Sequence, residues 1–241
     1  MEIRGERECK NCGARWSYYD TGNVACPECE SLHSVGVDDD RKLHTANRVE
    51  LDLTEAVAQL DEVPEDEALS TVKSTCREFQ RKHGFVHAGE LRDLDDTYLV
   101  AGELLQVADM VGRSLGRDDD EEFYLLSLLR GDEADRPAPD EVPESLRAGR
   151  GLAYAEAVRE YRRELREWAD ASDVTIDRPA TEVLSAIDEH AKRIRALEGD
   201  VPAREAERLV AVLREVTRYV RDDDEAALAQ AQNRLSGLDE N

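Results

Sequence analysis

The chain has 241 residues, with 32 Lys and Arg against 56 Asp and Glu, and a net charge of -24. Apolar residues make up 40%, enough for a core, so the low-hydropathy, high-charge profile of a disordered chain does not govern the whole sequence. No stretch approaches the ~18 uncharged apolar residues of a membrane helix, and the first residues, Met1 to Arg7, hold no apolar leader segment, so a cytoplasmic protein is expected.

Lysine occurs only at 10, 42, 73, 82 and 192; the remaining basic residues are Arg. Excess carboxylate with few lysines is the surface chemistry of proteins that work in molar salt. There, carboxylates hold water and cations, and net charge keeps the chain dissolved once repulsion is screened. A halophilic protein is therefore expected, with an acidic mimic of nucleic acid as the alternative. The charge is uneven: residues 1–37 carry net -2, 38–142 net -16, 143–221 net -1 and 222–241 net -5. The near-neutral, Arg-rich block must either pack against the acidic one or face an anionic partner.

The first element is a four-cysteine module over 1–37. Cys9-Lys10-Asn11-Cys12-Gly13 and Cys26-Pro27-Glu28-Cys29 give the spacing C-x2-C-x13-C-x2-C. A two-residue gap lets both thiolates of a knuckle reach one ion, and the longer gap accommodates a β-hairpin that returns the second knuckle to the first. Four thiolates close a tetrahedral shell with no place for water, so one structural zinc ion is expected, with iron as the alternative metal. A module this short needs its metal in order to fold. Gly13 follows the first knuckle but Glu30 follows the second, and a different turn is expected there.

On these four cysteines the segment resembles the zinc ribbons of archaeal transcription factor B and related transcription proteins. It also resembles the first segment of an uncharacterised haloarchaeal zinc-ribbon protein family with a helical C-terminal part. The likeness to transcription factor B ends near residue 37; nothing after it resembles that factor's cyclin-like repeats. It implies polymerase contact, nucleic-acid binding or plain scaffolding, the uses to which ribbons of this type are put. The flanking residues supply candidates for a contact: Arg4, Arg7 and Arg15, with Trp16 and Tyr18 placed on one face by strand alternation. Aromatics beside Arg stack on bases, although they more commonly form a ribbon's own core.

Residues 38–53 read as an acidic linker opening on Asp38-Asp39-Asp40, in which Val49-Glu50-Leu51-Asp52-Leu53 alternates as a short strand would. Residues 54–241 read as an all-α domain of about six to eight helices, a bundle or stacked helical hairpins. The expected fold class is thus mainly α, with a small β ribbon at the N-terminus. Helix starts are signalled at Pro64, at Asp95 or Asp96, in Asp118-Asp119-Asp120, near 144, at Asp177-Arg178-Pro179, at Asp200 to Pro202, and near 223. Stops fall at Gly84, Gly116, Gly131 and Gly199. Leu115 is read as the last apolar residue of the second helix. The stretch 131–143, with Pro137, Pro139 and Pro143, is a sub-boundary.

Three further groups invite chemistry. Cys76 lies on an apolar helix face with Leu69, Val72 and Phe79, which reads as core. His83 and His87 near Glu90 and Asp93 form a weaker metal candidate, because they straddle a helix end. The helix at 144–170 carries Arg159, Arg162, Arg163 and Arg166 beside Glu156, Glu160, Glu164 and Glu167. That is either a solvated face with intrahelical pairs or a groove for an acidic partner, extended by Arg214, Arg218 and Arg221.

The sequence has no phosphate-binding Gly loop, no G-x-S-x-G and no H-E-x-x-H. The expectation is a non-enzymatic zinc-ribbon binding protein, regulatory and linked to transcription or nucleic acid. The alternative is a protein–protein adaptor that uses the Arg-striped helices, with a purely structural ribbon. Protein or nucleic acid is the expected partner, with no membrane and no small-molecule substrate. Cys12→Ser should remove the metal and unfold the ribbon while helix content persists in far-ultraviolet circular dichroism; loss of both in one cooperative step would show a single domain.

Overall fold

The computed structural model describes residues 1–47, 49–60, 62–113, 116, 118–130 and 136–239. Among them the chain folds mainly as α-helix, with short antiparallel strands toward the N-terminus. β1 (Glu2–Ile3), β2 (Glu6–Cys9), β3 (Arg15–Ser17), α1 (Tyr18–Thr21) and β4 (Ser34–Gly36) make the ribbon, whose three-stranded sheet has the order β3-β2-β4.

β5 (Lys42–Leu43) returns to pair with β1, Glu2 opposite Leu43 and Ile3 opposite Lys42. Leu43, His44, Ala46 and Leu53 are buried, so the stretch expected as a linker lies against the protein. Val49–Leu53 does not form the expected strand; it has no neighbouring strand and leads irregularly into α2 (Thr54–Gln59). A hairpin that sequence reading did not anticipate, β6 (Val86–His87) and β7 (Glu90–Leu91), follows α3 (Glu65–Lys82). Ala88 (φ 53°) and Gly89 (φ 86°) form its two-residue turn, with the positive φ values that suit the twist of paired strands.

The helical body continues through α4 (Asp96–Val111), α5 (Asp119–Leu129), α6 (Arg147–Ala171), α7 (Arg178–Ala196), α8 (Ala203–Asp222) and α9 (Glu225–Asp239). The starts follow local chemistry. Asp95, Asp118 and Asp177 each accept the backbone N–H three residues on, satisfying an otherwise orphaned donor. Asp118 and Glu121 complete a reciprocal capping box. Leu115, Gly131 and the first part of the 131–143 stretch lie outside the described residues.

α6 is the spine, packed by α4, α7 and α8. Its glycines let backbone approach backbone: a Cβ at Gly151 would sit 2.2 Å from the Gly199 carbonyl oxygen, in the turn between α7 and α8. Gly199 itself has φ +82°, which glycine adopts without steric cost.

At the centre, Arg150 and Glu103 are wholly buried and paired at 2.7 Å. Arg150 also donates to Glu207 at 3.1 Å and to the Pro137 carbonyl at 2.9 Å. Tyr124 donates to Glu103, and Arg136 donates to Tyr154 and Glu207. Arg136 lies 3.8 Å from Asp96, which also holds Arg214 at 2.6 Å. Burial first, then the Glu103 carboxylate, pushes the Tyr124 and Tyr154 hydroxyls up, so both stay protonated donors.

The near-neutral block thus packs against the acidic one: Arg214 reaches Asp96, and Arg221 reaches Asp93 at 2.7 Å. Breaking a buried pair from one side leaves an uncompensated charge, so Arg150→Met should cost roughly 3–5 kcal/mol in denaturant unfolding. Adding Glu103→Leu should recover much of that. A loss under about 1 kcal/mol, the scale of a surface pair, would show that the network is peripheral to stability.

Candidate metal centre

The four ribbon cysteines converge as the spacing requires. Cys9 and Cys29 sulfurs lie 3.6 Å apart, as do those of Cys12 and Cys26, and all four lie within 4.8 Å of one another. Thiolates held at ~2.3 Å from one tetrahedral ion are separated by about 3.8 Å, so the cluster is close to the shell it would form. Among the described residues it is the one group of three or more Cys, His, Asp or Glu close enough to hold an ion.

The two knuckles are near copies. Gly13 N–H donates to the Cys9 carbonyl at 3.0 Å, and Glu30 N–H donates to the Cys26 carbonyl at 2.9 Å. Cys9 and Cys26 N–H groups donate to the Ala14 and Ser31 carbonyls at 2.8 and 3.0 Å. The different turn expected at Glu30 does not occur. Glu30 adopts φ 59° where Gly13 adopts φ 80°, so the knuckle imposes a left-handed residue even where the side chain disfavours it.

Sulfur environments differ. Backbone N–H donors, the Cys12 amide first, bring Cys9 down to about 6. At Cys12 the Ala14 amide pulls down, but the Cys29 and Cys26 sulfurs and burial outweigh it and push the thiol up to about 12. Four thiolates this close repel one another, and a dication is what would let all four ionise together. Such a closed, four-sulfur donor set suits a structural ion.

Around it, the structure puts the proposed contact residues to several uses. Trp16 is buried with Cys9 and Cys26, and its indole N–H donates to the Asn23 carbonyl at 3.1 Å; it is ribbon core. Arg7 donates to the Ser34 hydroxyl and carbonyl at 3.0 and 3.2 Å. Arg15 pairs with Glu8 at 2.8 Å. Arg4 is exposed. Strand alternation ends at Ser17, where α1 begins, so Tyr18 turns toward the body and meets the His44 ring edge-on at 6.1 Å. On α6, Arg159 and Arg163 pair with Glu156 and Glu160 one turn back, and Arg166 is exposed. Cys76 is fully buried, and burial pushes its thiol up to about 12. His83 pairs with Asp95 at 3.2 Å, whereas His87 faces His44 and Tyr19, so the two histidines do not converge.

Sequence reading missed the joint between ribbon and body. Thr45 donates to Glu164 at 2.5 Å, the same carboxylate oxygen accepts the Phe85 N–H at 2.8 Å, and Thr45 in turn accepts the Val86 N–H at 3.0 Å. Gly84 is required here, because a Cβ would lie 2.3 Å from the Thr45 carbonyl carbon. Beside this joint His44 is buried, its Nδ1 accepting the Ala88 N–H at 3.2 Å. In the sequence Glu164 is one of several carboxylates beside the Arg stripe, on a face expected to be solvated, and a lone His in an acidic stretch carries no signal for such a joint; the structure buries both.

Fold and site together define a helical protein headed by a four-cysteine ribbon whose sulfurs lie close enough to hold a metal ion. The chain belongs to the family of unknown function DUF7117, and the match covers residues 1–235. No curated protein and no solved structure matches it.

Burial, then the charges of His87 and Arg92, lower His44 from 6.5 to about 4. The folded pKa is below the unfolded one, so the unfolded chain takes up this proton first. Stability from this group is complete above pH ~6.5 and declines as pH falls toward 4. The melting temperature should therefore drop more steeply over that window in the wild type than in His44→Gln, with cysteine protonation common to both. Parallel slopes would exclude His44 as the cause.

Proposed function

We propose that the protein is a non-enzymatic, regulatory zinc-ribbon binding protein of the cytoplasm, whose ribbon docks on a protein of the transcription machinery. The metal in this reading is one structural zinc ion held by Cys9, Cys12, Cys26 and Cys29. The observation that carries the reading is where apolar surface is exposed. Nine large apolar side chains are exposed among the described residues, and five of them, Met1, Val24, Leu32, Val35 and Val37, belong to the ribbon, with Leu32 at 70%. Single exposed apolar residues are ordinary, but concentration in one small module of an acidic protein marks a contact face.

The Ser34 hydroxyl donates to the Val24 carbonyl at 2.9 Å, which ties the Val24 loop to the strand bearing Val35. Register puts Val35 opposite Glu8, on the sheet face away from Cys9 and Trp16. A protein partner fits better than nucleic acid. Trp16 has no surface to stack a base, and Arg7 and Arg15 already have partners. Apolar contact also survives the salt that screens phosphate binding. The Arg-striped adaptor reading is weaker for the same reason: Arg159 and Arg163 are matched by their own helix's carboxylates.

In-cell crosslinking of the tagged protein, denaturing purification and identification of what is attached test this. A transcription protein should be captured, and Leu32→Ser with Val35→Thr should abolish its capture while zinc content is unchanged. Capture that survives the ribbon variant but is lost with Arg159→Glu and Arg163→Glu would move the contact to the helices and overturn the reading. Nucleic acid as the sole attached species would overturn the protein partner.

A further inference from the structure

The helical body has a second exposed apolar face, remote in sequence from the ribbon. α5 packs on α4 through Tyr124, Leu125, Leu128 and Leu129, all buried. Its other side displays Phe123 at 67% exposure and Leu126 at 43%, continued by Ser127 and the exposed Arg130. Positions 123, 126, 127 and 130 follow the helical period, so they form one stripe. The chain has three phenylalanines; Phe79 and Phe85 are core, and Phe123 alone faces solvent.

Clefts flank the stripe. One of about 200 Å³ lies between Phe123, Ser127 and Arg130 and the Pro137–Glu141 stretch. Another of about 400 Å³ lies between Arg130 and the Leu51–Val57 segment, where Val57 adds a further exposed apolar side chain. Both are lined by Arg130, so the two clefts adjoin at the C-terminal end of α5, one reaching back to Phe123 and the other to α2.

We infer that this groove binds an amphipathic, cationic helix of a partner protein. Apolar residues at i, i+3, i+4 and i+7 of such a helix would cover Phe123, Leu126 and Val57. Its Lys and Arg would lie over the rim. Apart from Arg130, which both clefts share, the surrounding charges are acidic: Asp119, Asp120 and Glu122 at the start of α5, Asp140 and Glu141 on one side, and Asp52 and Glu55 on the other. Nucleic acid is repelled by them. A second copy of this chain is a poor occupant, because its net charge is -24 and the arginines of its long α6 helix are largely matched by its own carboxylates. With the ribbon as the first contact, the protein becomes a bridge with two separate docking faces.

The test uses the full chain and a fluorescent synthetic helix with leucines at the four apolar positions and lysines elsewhere. Fluorescence anisotropy should report saturable binding that persists when salt is raised. Phe123→Ser with Leu126→Ser removes the apolar stripe at exposed positions, keeps the charge, and should weaken binding by at least about tenfold, with unchanged helix content. A peptide of the same composition with its leucines scrambled should bind as weakly, and Leu32→Ser in the ribbon should change nothing. Absence of binding, equal affinity for wild type and the double variant, or equal affinity for the scrambled peptide would overturn the proposal. Self-association of the wild type that is lost in the double variant would assign the groove to a second copy and likewise overturn it.

Discussion

Arg150 sets the constraint around which the body is arranged. A guanidinium cannot shed its proton, so burying it obliges the fold to bring anions and carbonyl oxygens to every one of its faces. Glu103 comes from α4, Glu207 from α8, the Pro137 carbonyl from the loop before α6, and Tyr124 reaches Glu103 from α5. Apolar packing alone would tolerate several ways of stacking these helices. The charged network is satisfied in one arrangement, and that arrangement also fixes α5, and with it the exposed Phe123 edge.

The same economy explains the arginines. A chain whose 32 Lys and Arg are outnumbered by 56 Asp and Glu uses many of its cations internally. Arg162 holds Asp188, Arg193 holds Glu205, and Arg214 and Arg221 clamp the segment before α4 through Leu94 and Leu91 carbonyls as well as Asp96 and Asp93. What is left outside is mostly carboxylate. Against such a surface the apolar side chains of the ribbon and of α5 stand out physically, because they are the places where contact gains free energy without first overcoming like charge.

Much of this was legible in the sequence because its causes are local. Two cysteine pairs announce their knuckles, and Asp95, Asp118 and Asp177 announce helix starts by capping a turn that lies three residues away. The Leu69, Val72, Cys76 and Phe79 stripe is buried as its spacing implies. What was not legible depends on distant partners. Ala88-Gly89 carries a weaker hairpin signal than Asn-Gly. The alternation at Val49–Leu53 finds no strand to pair with. Glu103, Arg150 and Glu164 look like any other charges on a charged helix until the helices opposite them are placed. Tyr18 followed strand alternation on paper, but a single turn of helix redirected it toward His44.

The joint at Glu164 also orders events in time. Its partners Thr45 and Phe85 precede it by 119 and 79 residues, and Arg221 lies 130 residues beyond the Leu91 carbonyl it holds. On the ribosome all four ribbon cysteines emerge long before the helix that anchors Thr45 has been translated. At common elongation rates of roughly 5–20 residues per second, that interval lasts several seconds or more. The four cysteines are thus exposed to any ion well before α6 arrives to take the Thr45 and Phe85 contacts. A nascent chain stalled before residue 164 would hold all four cysteines but lack the carboxylate that receives Thr45 and Phe85.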